Sequence, residues 1–175
     1  YTFYVLTVND AHGAKVAGYF SRVKERGAKQ NVACILVLPQ YKGLGLGTLL
    51  VSVSYAISRL EGTTAAPERP LSDYGYAMYG NYWRKALLRC IANMNGRMTL
   101  RDVERETGIE LEDLVRVLPE MRCAKGKASR DAKEIVSEII IDREVLEDLC
   151  STDSAWFAAG LDDKNAALPA NTTEA

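Results

Sequence analysis

A glycine-rich turn is the first feature of the sequence whose residue types and spacing suggest chemistry. Three glycines at alternate positions, Gly43, Gly45 and Gly47, follow the apolar run 32–38, which predicts a buried strand, and precede 48–60, which predicts a helix. A strand, a glycine-rich turn and a helix N-terminus bring free backbone N–H groups to the positive end of a helix dipole. The pattern therefore predicts a phosphate site, although a tight turn that binds nothing fits these residues equally well.

The glycine pattern differs from the two common phosphate-binding motifs. No Gly-Lys-Ser or Gly-Lys-Thr follows the turn, so it is not a P-loop. The spacing also lacks the wider second interval of the dinucleotide fingerprint, and no acidic residue closes a next strand. The turn alone does not identify the phosphate-bearing ligand.

Three side chains are candidates for proton or acyl transfer. His12 is the only histidine and lies in the turn of a predicted hairpin, so the role of a turn residue is favoured over that of a general base. Glu68 stands between Pro67 and Pro70, which restrict the backbone around the carboxylate; on these residues alone a solvated loop glutamate is the simpler interpretation. A Cys34 thiolate would need a nearby cation or helix N-terminus, and no basic residue is adjacent, so a nucleophile and a small strand residue both remain open.

The first half of the chain predicts a mixture of strands and helices that would position these residues. The predicted elements are strands over 1–7 and 15–21, a solvated loop over 22–30, the strand 32–38, the helix 48–60, a loop over 61–70 and a helix over 82–93. Ser72 and Asp73 predict an N-cap before a helical turn. Three-and-four spacing places one apolar face of the last helix in the core: Trp83, Ala86, Leu87, Cys90 and Ile91, with Tyr82 also predicted as core.

The pattern of predicted elements changes after Gly96, where a helix-turn-helix pattern begins. The predicted elements are a capped helix over 99–108, a second helix over 109–118, a basic loop over 122–133, a strand over 138–142, a helix over 143–149 and a disordered tail over 162–175. This outline suggests a winged helix that binds DNA. Glu110, Glu112 and Asp113 in the second helix would face phosphate and repel it, so DNA binding is disfavoured.

Composition sets the broad class. The chain has 175 residues, 47% of them hydrophobic, which is enough for one domain or one domain with a small appendage. Its formal net charge of −1 gives no general attraction to nucleic acid. No run of 18 apolar residues and no signal peptide are present, which predicts a soluble intracellular protein. The four cysteines, Cys34, Cys90, Cys123 and Cys150, show no C-x-x-C spacing, so they predict neither a zinc site nor a disulfide framework.

Two long signatures resemble the MYST family of histone acetyltransferases. In that family a strand N-V-A-C-I-L-x-L-P precedes a Q/R-x-x-G-x-G/A turn that cradles the pyrophosphate of acetyl-coenzyme A; the matching residues here are 31–39 and 42–47. The second signature, P-E-K/R-P-L-S-D-x-G and then Y-x-x-Y-W, matches 67–75 and 79–83. Both stand in the family's order and spacing, and the resemblance covers about residues 1–150.

The resemblance implies a lysine acetyltransferase that uses acetyl-coenzyme A. Its fold would be α/β (α+β), a GNAT-like acetyltransferase core with a helix-turn-helix or winged-helix-like C-terminal subdomain. Glu68 would be the general base, with a pKa raised by burial beside substrate and cofactor, and Cys34 a possible acetyl acceptor or a bystander in direct transfer. Backbone N–H groups at Cys34–Leu36 would polarise the thioester carbonyl. The implied cofactor-binding residues are Ile35, Leu36, Val37, Lys42, Gly43, Leu44, Gly45, Leu46, Gly47, Thr48, Ser72, Asn81 and Lys125.

The phosphate turn departs from the family's usual Q-R-R-G-Y-G-K. Gly43 stands in place of an arginine and Thr48 in place of the closing lysine. Backbone donors survive such changes but side-chain charge does not, so we expect lower cofactor affinity, with Lys42 compensating in part. Lys125 corresponds to the lysine of the family's later K-G pair, although the loop around it carries an insertion.

The resemblance also predicts organisation and partners. We expect a cofactor-binding catalytic core over 1–95, a helix-turn-helix-like subdomain over 96–150 and a largely disordered tail over 151–175, with the family's zinc finger and acetylated lysine belonging to an upstream part outside this chain. No metal site is expected within it. The expected partners are a histone-tail lysine and acetyltransferase complex subunits in the nucleus, without sequence-specific DNA binding and without a membrane.

Two other functions compete with this one. An acyltransferase of the same wider fold that acts on a small amine is disfavoured by the P-E-R-P-L-S-D signature. A winged-helix DNA-binding or scaffolding protein with an inactive acetyltransferase fold is disfavoured because Cys34 and Glu68 are both present.

Overall fold

The computed structural model describes residues 1–25, 29–93, 98–121, 124–127 and 138–141. In chain order, the strands and helices are β1 Thr2–Asp10, β2 Gly13–Arg22, β3 Gln30–Val32, β4 Cys34–Val37, α1 Leu46–Leu60, β5 Ala66–Pro67, α2 Asp73–Asn93, α3 Leu100–Thr107, α4 Leu111–Val117, β6 Ala124–Lys127 and β7 Glu138–Ile141. Short 3-10 turns cover Pro39–Tyr41 and Leu118–Glu120. The mixture of sheets and helices agrees with the predicted α/β class.

An antiparallel sheet in the order β1–β2–β4 forms the base of the fold. The predicted hairpin is confirmed, with longer strands than expected, and His12 lies in its turn, where the Asp10 carboxylate accepts a hydrogen bond from the His12 backbone N–H. One face of the sheet packs under α1 through Phe20 and half-buried Tyr4. The opposite face exposes apolar side chains of β1, including Phe3 and Val5.

The single buried strand predicted over 32–38 is wrong: the chain forms two short strands that break at Ala33. The Ala33 N–H donates to the Ser21 carbonyl at 2.7 Å, which starts the pairing of β4 with β2. Before the break, β3 turns away and pairs in parallel with β5. β4 is also not fully buried, because Cys34 and Leu36 are exposed while Ile35 and Val37 are half-buried. The chain therefore changes its pairing partner at Ala33, and β3 lies beside β5, where the second signature begins.

Helices α1 and α2 build the main core. α1 begins two residues earlier than predicted, and α2 is one continuous helix of 21 residues rather than a turn followed by a helix over 82–93. Its start is capped as predicted, since the Ser72 hydroxyl accepts a hydrogen bond from the Gly75 N–H at 3.1 Å. Trp83 and Tyr82 are buried as expected. No helix among the described residues is long and apolar enough to cross a membrane.

Helices α3 and α4 join the same core. The Thr99 hydroxyl accepts from the Asp102 N–H and the Asp102 carboxylate accepts from the Thr99 N–H, a capping box that starts α3. Gly108 ends α3 with a φ of 70°, as the glycine predicted. The apolar residues of both helices share one buried cluster with α1 and α2: Leu100, Val103, Ile109, Leu114, Val117 and Leu118, packed with Val51, Tyr55, Trp83 and Leu87.

Two predictions for the second half are corrected. The basic loop predicted over 122–133 contains the strand β6, which pairs antiparallel with β7. The second helix contributes Asp113 to the interior rather than to a phosphate-facing surface, because Asp113 shares an inner face with Leu114 and Val117 and is fully buried. The helix pair and the hairpin are thus present, but the predicted helix over 143–149 and the tail over 162–175 lie outside the described residues, and a complete winged helix stays a prediction.

A buried hydrogen bond between α1 and α2 gives a testable contribution to stability. The Trp83 indole N–H donates to the Tyr55 hydroxyl at 2.8 Å, and both residues are fully buried. Tyr55→Phe would leave the indole N–H without an acceptor, so we expect a loss of about 1–3 kcal/mol of unfolding free energy. Chemical denaturation measures it, with Tyr1→Phe as the control because Tyr1 is exposed. Equal stability of Tyr55→Phe and the wild type would contradict this role.

Candidate functional site

The glycine-rich turn presents backbone N–H groups at the N-terminus of α1. Gly43 and Gly45 have φ values of 81° and 76°, and Gly45 occupies the N-cap position without a capping side chain. The first intrahelical acceptor is the Gly45 carbonyl, which accepts from Leu49 at 3.1 Å. Within the part of the chain that the structure describes, no acceptor contacts the N–H groups of residues 43–48. The first turn of α1 is also uncharged, so nothing in it competes with an anion for the helix dipole.

A concave site of about 190 Å³ lies against this turn. One wall is the glycine turn and the first turn of α1; the other is the first turns of α2, where Tyr74, Ala77 and Met78 lie at three-and-four spacing on one face. The Met78 sulfur would lie 2.7 Å from a Cβ atom added to Gly47, so the two helices approach each other closely here. The site therefore combines free N–H donors, a positive helix end and apolar walls.

Most of the expected cofactor-binding residues meet in this concavity. The residues that line it are Val37, Lys42, Gly43, Gly45, Leu46, Gly47 and Thr48 from the expected set, together with four residues outside that set, Tyr41, Tyr74, Ala77 and Met78. The three-and-four spacing of the α2 residues was the available signal for the second wall. These groups fit a phosphate-bearing ligand, because the donors are backbone N–H groups and Lys42 is exposed beside them.

Other expected residues lie elsewhere. Leu44 is exposed at the tip of the turn and does not line the concavity. The Ser72 hydroxyl caps α2, and Asn81 is exposed one helical turn beyond Ala77 and Met78. Only the backbone of Lys125 is described, within β6. Ile35 packs into both apolar clusters, so its contribution to a ligand would have to come from its backbone.

Strand β4 connects the concavity to the two candidate reacting groups. It is the edge strand of its sheet, so alternate backbone groups have no partner strand in the described sheet. Val37 at its C-terminal end lines the concavity, while Cys34 at its N-terminal end is exposed. The distance along a strand of this length is about 10 Å, so β4 separates the concavity from Cys34 by about that distance.

Glu68 is held beside the N-terminal end of β4. Its backbone N–H donates to the Val32 carbonyl at 2.9 Å, two residues before Cys34. The side chain of Glu68 is exposed. The burial that the general-base hypothesis requires would therefore have to come from bound substrate and cofactor rather than from the residues around Glu68.

Cys90 is the second cysteine among the described residues. Cys90 is buried in α2, and burial, with Glu106 and Asp102 nearby, raises the pKa of its thiol to about 11, which disfavours a thiolate at neutral pH. Cys123 and Cys150 lie outside the described residues. Among the described residues no group of histidine, cysteine or acidic side chains could hold a metal ion.

Comparison with known proteins identifies the family. The family model described as the MOZ/SAS family matches residues 1–157. The chain is 40% identical over 126 residues to the histone acetyltransferase Tip60 homolog of Caenorhabditis elegans, which covers 69% of this chain and 28% of that protein. It is 40% identical over 123 residues to the histone acetyltransferase KAT6A of Homo sapiens, and 39% identical to that of Rattus norvegicus, in each case over 70% of this chain and 6% of the relative.

The matches cover most of this chain but only a small part of each relative. The chain spans less than a third of the length of these curated relatives. Within the chain, however, the family model covers almost the whole sequence, and the two signatures fall inside the matched region. The resemblance to MYST acetyltransferases is thereby confirmed, and the chain belongs to the MOZ/SAS family.

Proposed function

We propose that this chain carries the acetyl-coenzyme A site and the reacting groups of a protein lysine acetyltransferase that modifies histone tails. The observation that carries the proposal is β4, which joins free N–H donors at the N-terminus of α1 to Cys34 and Glu68 at its other end. The relatives named as histone acetyltransferases support the same activity and a nuclear location.

In this proposal the chain binds the co-substrate in two places. The N–H groups of residues 43–48 and the exposed Lys42 would hold the pyrophosphate at the positive end of α1. Free backbone N–H groups on the edge of β4 would polarise the thioester carbonyl. Gly43 and Thr48 supply no side-chain charge, so Lys42 would be the main cation of the turn and the affinity would depend strongly on the backbone donors.

Glu68 would act as the general base in direct transfer. Its carboxylate takes one proton from the substrate ammonium, and the neutral amine attacks the thioester carbonyl. The new N–C bond forms as the C–S bond breaks, the second amine proton goes to the leaving thiolate, and Glu68 returns its proton to solvent. Cys34 would line the reaction site as an exposed neighbour, and its use as an acetyl acceptor is the competing route within the same activity.

A calorimetric titration with acetyl-coenzyme A tests the binding half of the proposal. We expect saturable binding of one molecule per chain, weakened by added pyrophosphate because it competes for the same N–H groups. Acetyl-pantetheine, which lacks the pyrophosphate and the 3′-phosphoadenosine of acetyl-coenzyme A, should bind much more weakly. Equal affinity for acetyl-coenzyme A and acetyl-pantetheine would show that the glycine turn does not hold the phosphates.

The DNA-binding alternative has a separate prediction. α3 and α4 turn their apolar faces into the core, Glu112 remains exposed, and the formal net charge of the chain is −1. We expect at most weak duplex binding by the whole chain, with a dissociation constant of about 10⁻⁴–10⁻⁶ M that weakens steeply with salt. Fluorescence anisotropy with labelled duplexes measures it, and nanomolar, sequence-specific binding at physiological salt would favour the DNA-binding function instead.

A further inference from the structure

The segment that carries Glu68, residues 65–69, is held on two opposite sides. On one side the Ala66 and Glu68 N–H groups donate to the carbonyls of Lys29 and Val32, each at 2.9 Å. These bonds attach the segment to β3. They fix the backbone of Glu68 relative to the start of β4.

The connection between α3 and α4 holds the other side of the segment. The Ala65 N–H donates to the Gly108 carbonyl at 2.9 Å, and the Glu110 N–H donates back to the Ala65 carbonyl at 3.3 Å. This short parallel bridge places the beginning of α4 next to the segment. The helix pair thus contacts the same backbone that presents Glu68.

A buried ion pair completes this attachment. The Arg69 guanidinium donates to Oδ1 of Asp113, which lies in α4 and is fully buried, while the Arg69 side chain is one-third exposed. Oδ2 of Asp113 has no hydrogen-bond partner within the described part of the chain. Burial raises the pKa of Asp113, and the charge of Arg69 opposes this shift. The direct hydrogen-bonding partner of this buried charge is therefore the residue immediately after Glu68, and the charge of Arg116 also lowers the pKa of Asp113.

Stability alone does not explain such a pair. A buried ion pair costs about as much desolvation as it gains in attraction, and apolar residues of similar size usually stabilise a core equally well. The pair does, however, fix the position of the Arg69 side chain, and Glu68 is the residue directly before Arg69 on the same backbone. The ion pair therefore contributes a fixed local geometry around Glu68 rather than stability.

We infer that Asp113 is a positioning residue of the proposed acetyl transfer, which acts through Arg69 to orient the Glu68 carboxylate. The inference rests on the proposed function. It gives the helix pair a role at the reaction site, because α4 contributes the Asp113 carboxylate that binds Arg69 in the segment carrying Glu68.

Turnover in a double-mutant cycle tests the inference on the full-length protein. Asp113→Asn should lower kcat about tenfold or more, because misplacing a reacting group by even about 1 Å is costly, with the KM for acetyl-coenzyme A nearly unchanged. In a Glu68→Gln background the same substitution should cost almost nothing further, because the group that it positions is already inactive. Val117→Ala is the matched control, since Val117 is buried one helical turn along α4; it should lower the melting temperature but leave kcat nearly unchanged.

Amide hydrogen exchange without acetyl-coenzyme A provides a readout independent of turnover. Asp113→Asn should speed the exchange of residues 65–69 more than Val117→Ala does at a comparable loss of melting temperature. If Asp113→Asn does not fold, Arg69→Lys replaces it, because lysine keeps the charge but not the planar fork of donors, and the same non-additivity with Glu68→Gln is expected.

The outcomes separate this inference from the proposed function. Independent, multiplicative effects of Asp113→Asn and Glu68→Gln, with equal exchange in Asp113→Asn and Val117→Ala, would overturn the positioning role while leaving the acetyltransferase activity standing. A wild-type protein that transfers no acetyl group would overturn both.

Discussion

Replacing Glu68 with glutamine is expected to lower turnover about a hundredfold at neutral pH, the contribution typical of a general base. Glutamine keeps the size and much of the hydrogen bonding of glutamate but cannot take a proton. Because the Glu68 side chain is exposed and lies away from the glycine turn, binding of acetyl-coenzyme A should be nearly unchanged. Steady-state kinetics with a histone-tail peptide, combined with a thermal-shift assay for the cofactor, measures both quantities.

The pH dependence distinguishes a base from a merely structural glutamate. A free lysine side chain has a pKa of about 10.4, so more of the substrate arrives neutral as the pH rises. The deficit of Glu68→Gln should shrink between neutral and alkaline pH, whereas a structural defect would persist. Full activity of Glu68→Gln across the whole pH range would contradict the general-base assignment.

Cys34→Ser separates direct transfer from a covalent route. If Cys34 carries the acetyl group, the serine variant should be as damaged as Glu68→Gln, and wild type incubated with acetyl-coenzyme A alone should gain one acetyl group on Cys34. We expect neither result, because Cys34 is exposed on an edge strand and its sequence neighbours supply no cation to stabilise a thiolate. Intact mass spectrometry of the protein provides the second measurement.

Gly45→Asp is expected to abolish stabilisation by acetyl-coenzyme A. At about a hundred times its dissociation constant a ligand adds about 2.7 kcal/mol to the free energy of unfolding, and this increment should disappear. The aspartate would place a negative charge at the N-terminus of α1, and its carboxylate could itself accept from the free N–H groups there. A Cβ atom at Gly45 meets nothing within 4 Å, so the substitution adds backbone strain at the positive φ but no steric clash.

Two controls separate charge from backbone strain. Gly62 has a φ of 67° and open space around its Cβ position, and it lies beyond the far end of α1. Gly62→Asp therefore carries the same charge and a similar strain away from the concavity and should keep the full thermal shift. Gly45→Ala adds the backbone strain without the charge and should keep part of the thermal shift. A Gly45→Asp protein that binds as tightly as wild type would rule out the turn as the phosphate site.

Local patterns were sufficient to predict the elements that position the site. The Thr99 capping box, the left-handed Gly108 and the buried face around Trp83 follow from rules that operate within a few residues, and the structure has all three. The glycine turn was predictable for the same reason, since its φ values and free N–H groups depend on the adjacent strand and helix.

The parts that could not be predicted depend on contacts between residues distant in sequence. The break at Ala33 arises because Val32 pairs with Glu68 while the next residues pair with β2, and an apolar run carries no sign of such a change of partner. Asp113 was assigned to a phosphate-facing surface because helical spacing shows which residues share a face but not which face is buried. Its partner Arg69 stands 44 residues away.

The second wall of the concavity illustrates the same limit. Tyr74, Ala77 and Met78 share a helix face by spacing, but that this face meets the glycine turn follows from the packing of α2 on α1. The strand β6 was predicted as a loop because its residues, Ala-Lys-Gly-Lys, have low strand propensity. Pairing with the β-branched run of β7 overrides that propensity.

Acetyl transfer to a histone-tail peptide, followed by mass spectrometry, is the direct test of the proposed acetyltransferase activity. The full-length protein is incubated with acetyl-coenzyme A and the peptide, and Gly45→Asp and Glu68→Gln serve as the matched variants. We expect acetyl groups on lysine side chains of the peptide with wild type. Transfer should be strongly reduced with both variants, for Gly45→Asp through lost binding and for Glu68→Gln through lost turnover. A wild-type protein that binds acetyl-coenzyme A but forms no acetyl-lysine would contradict the proposed activity.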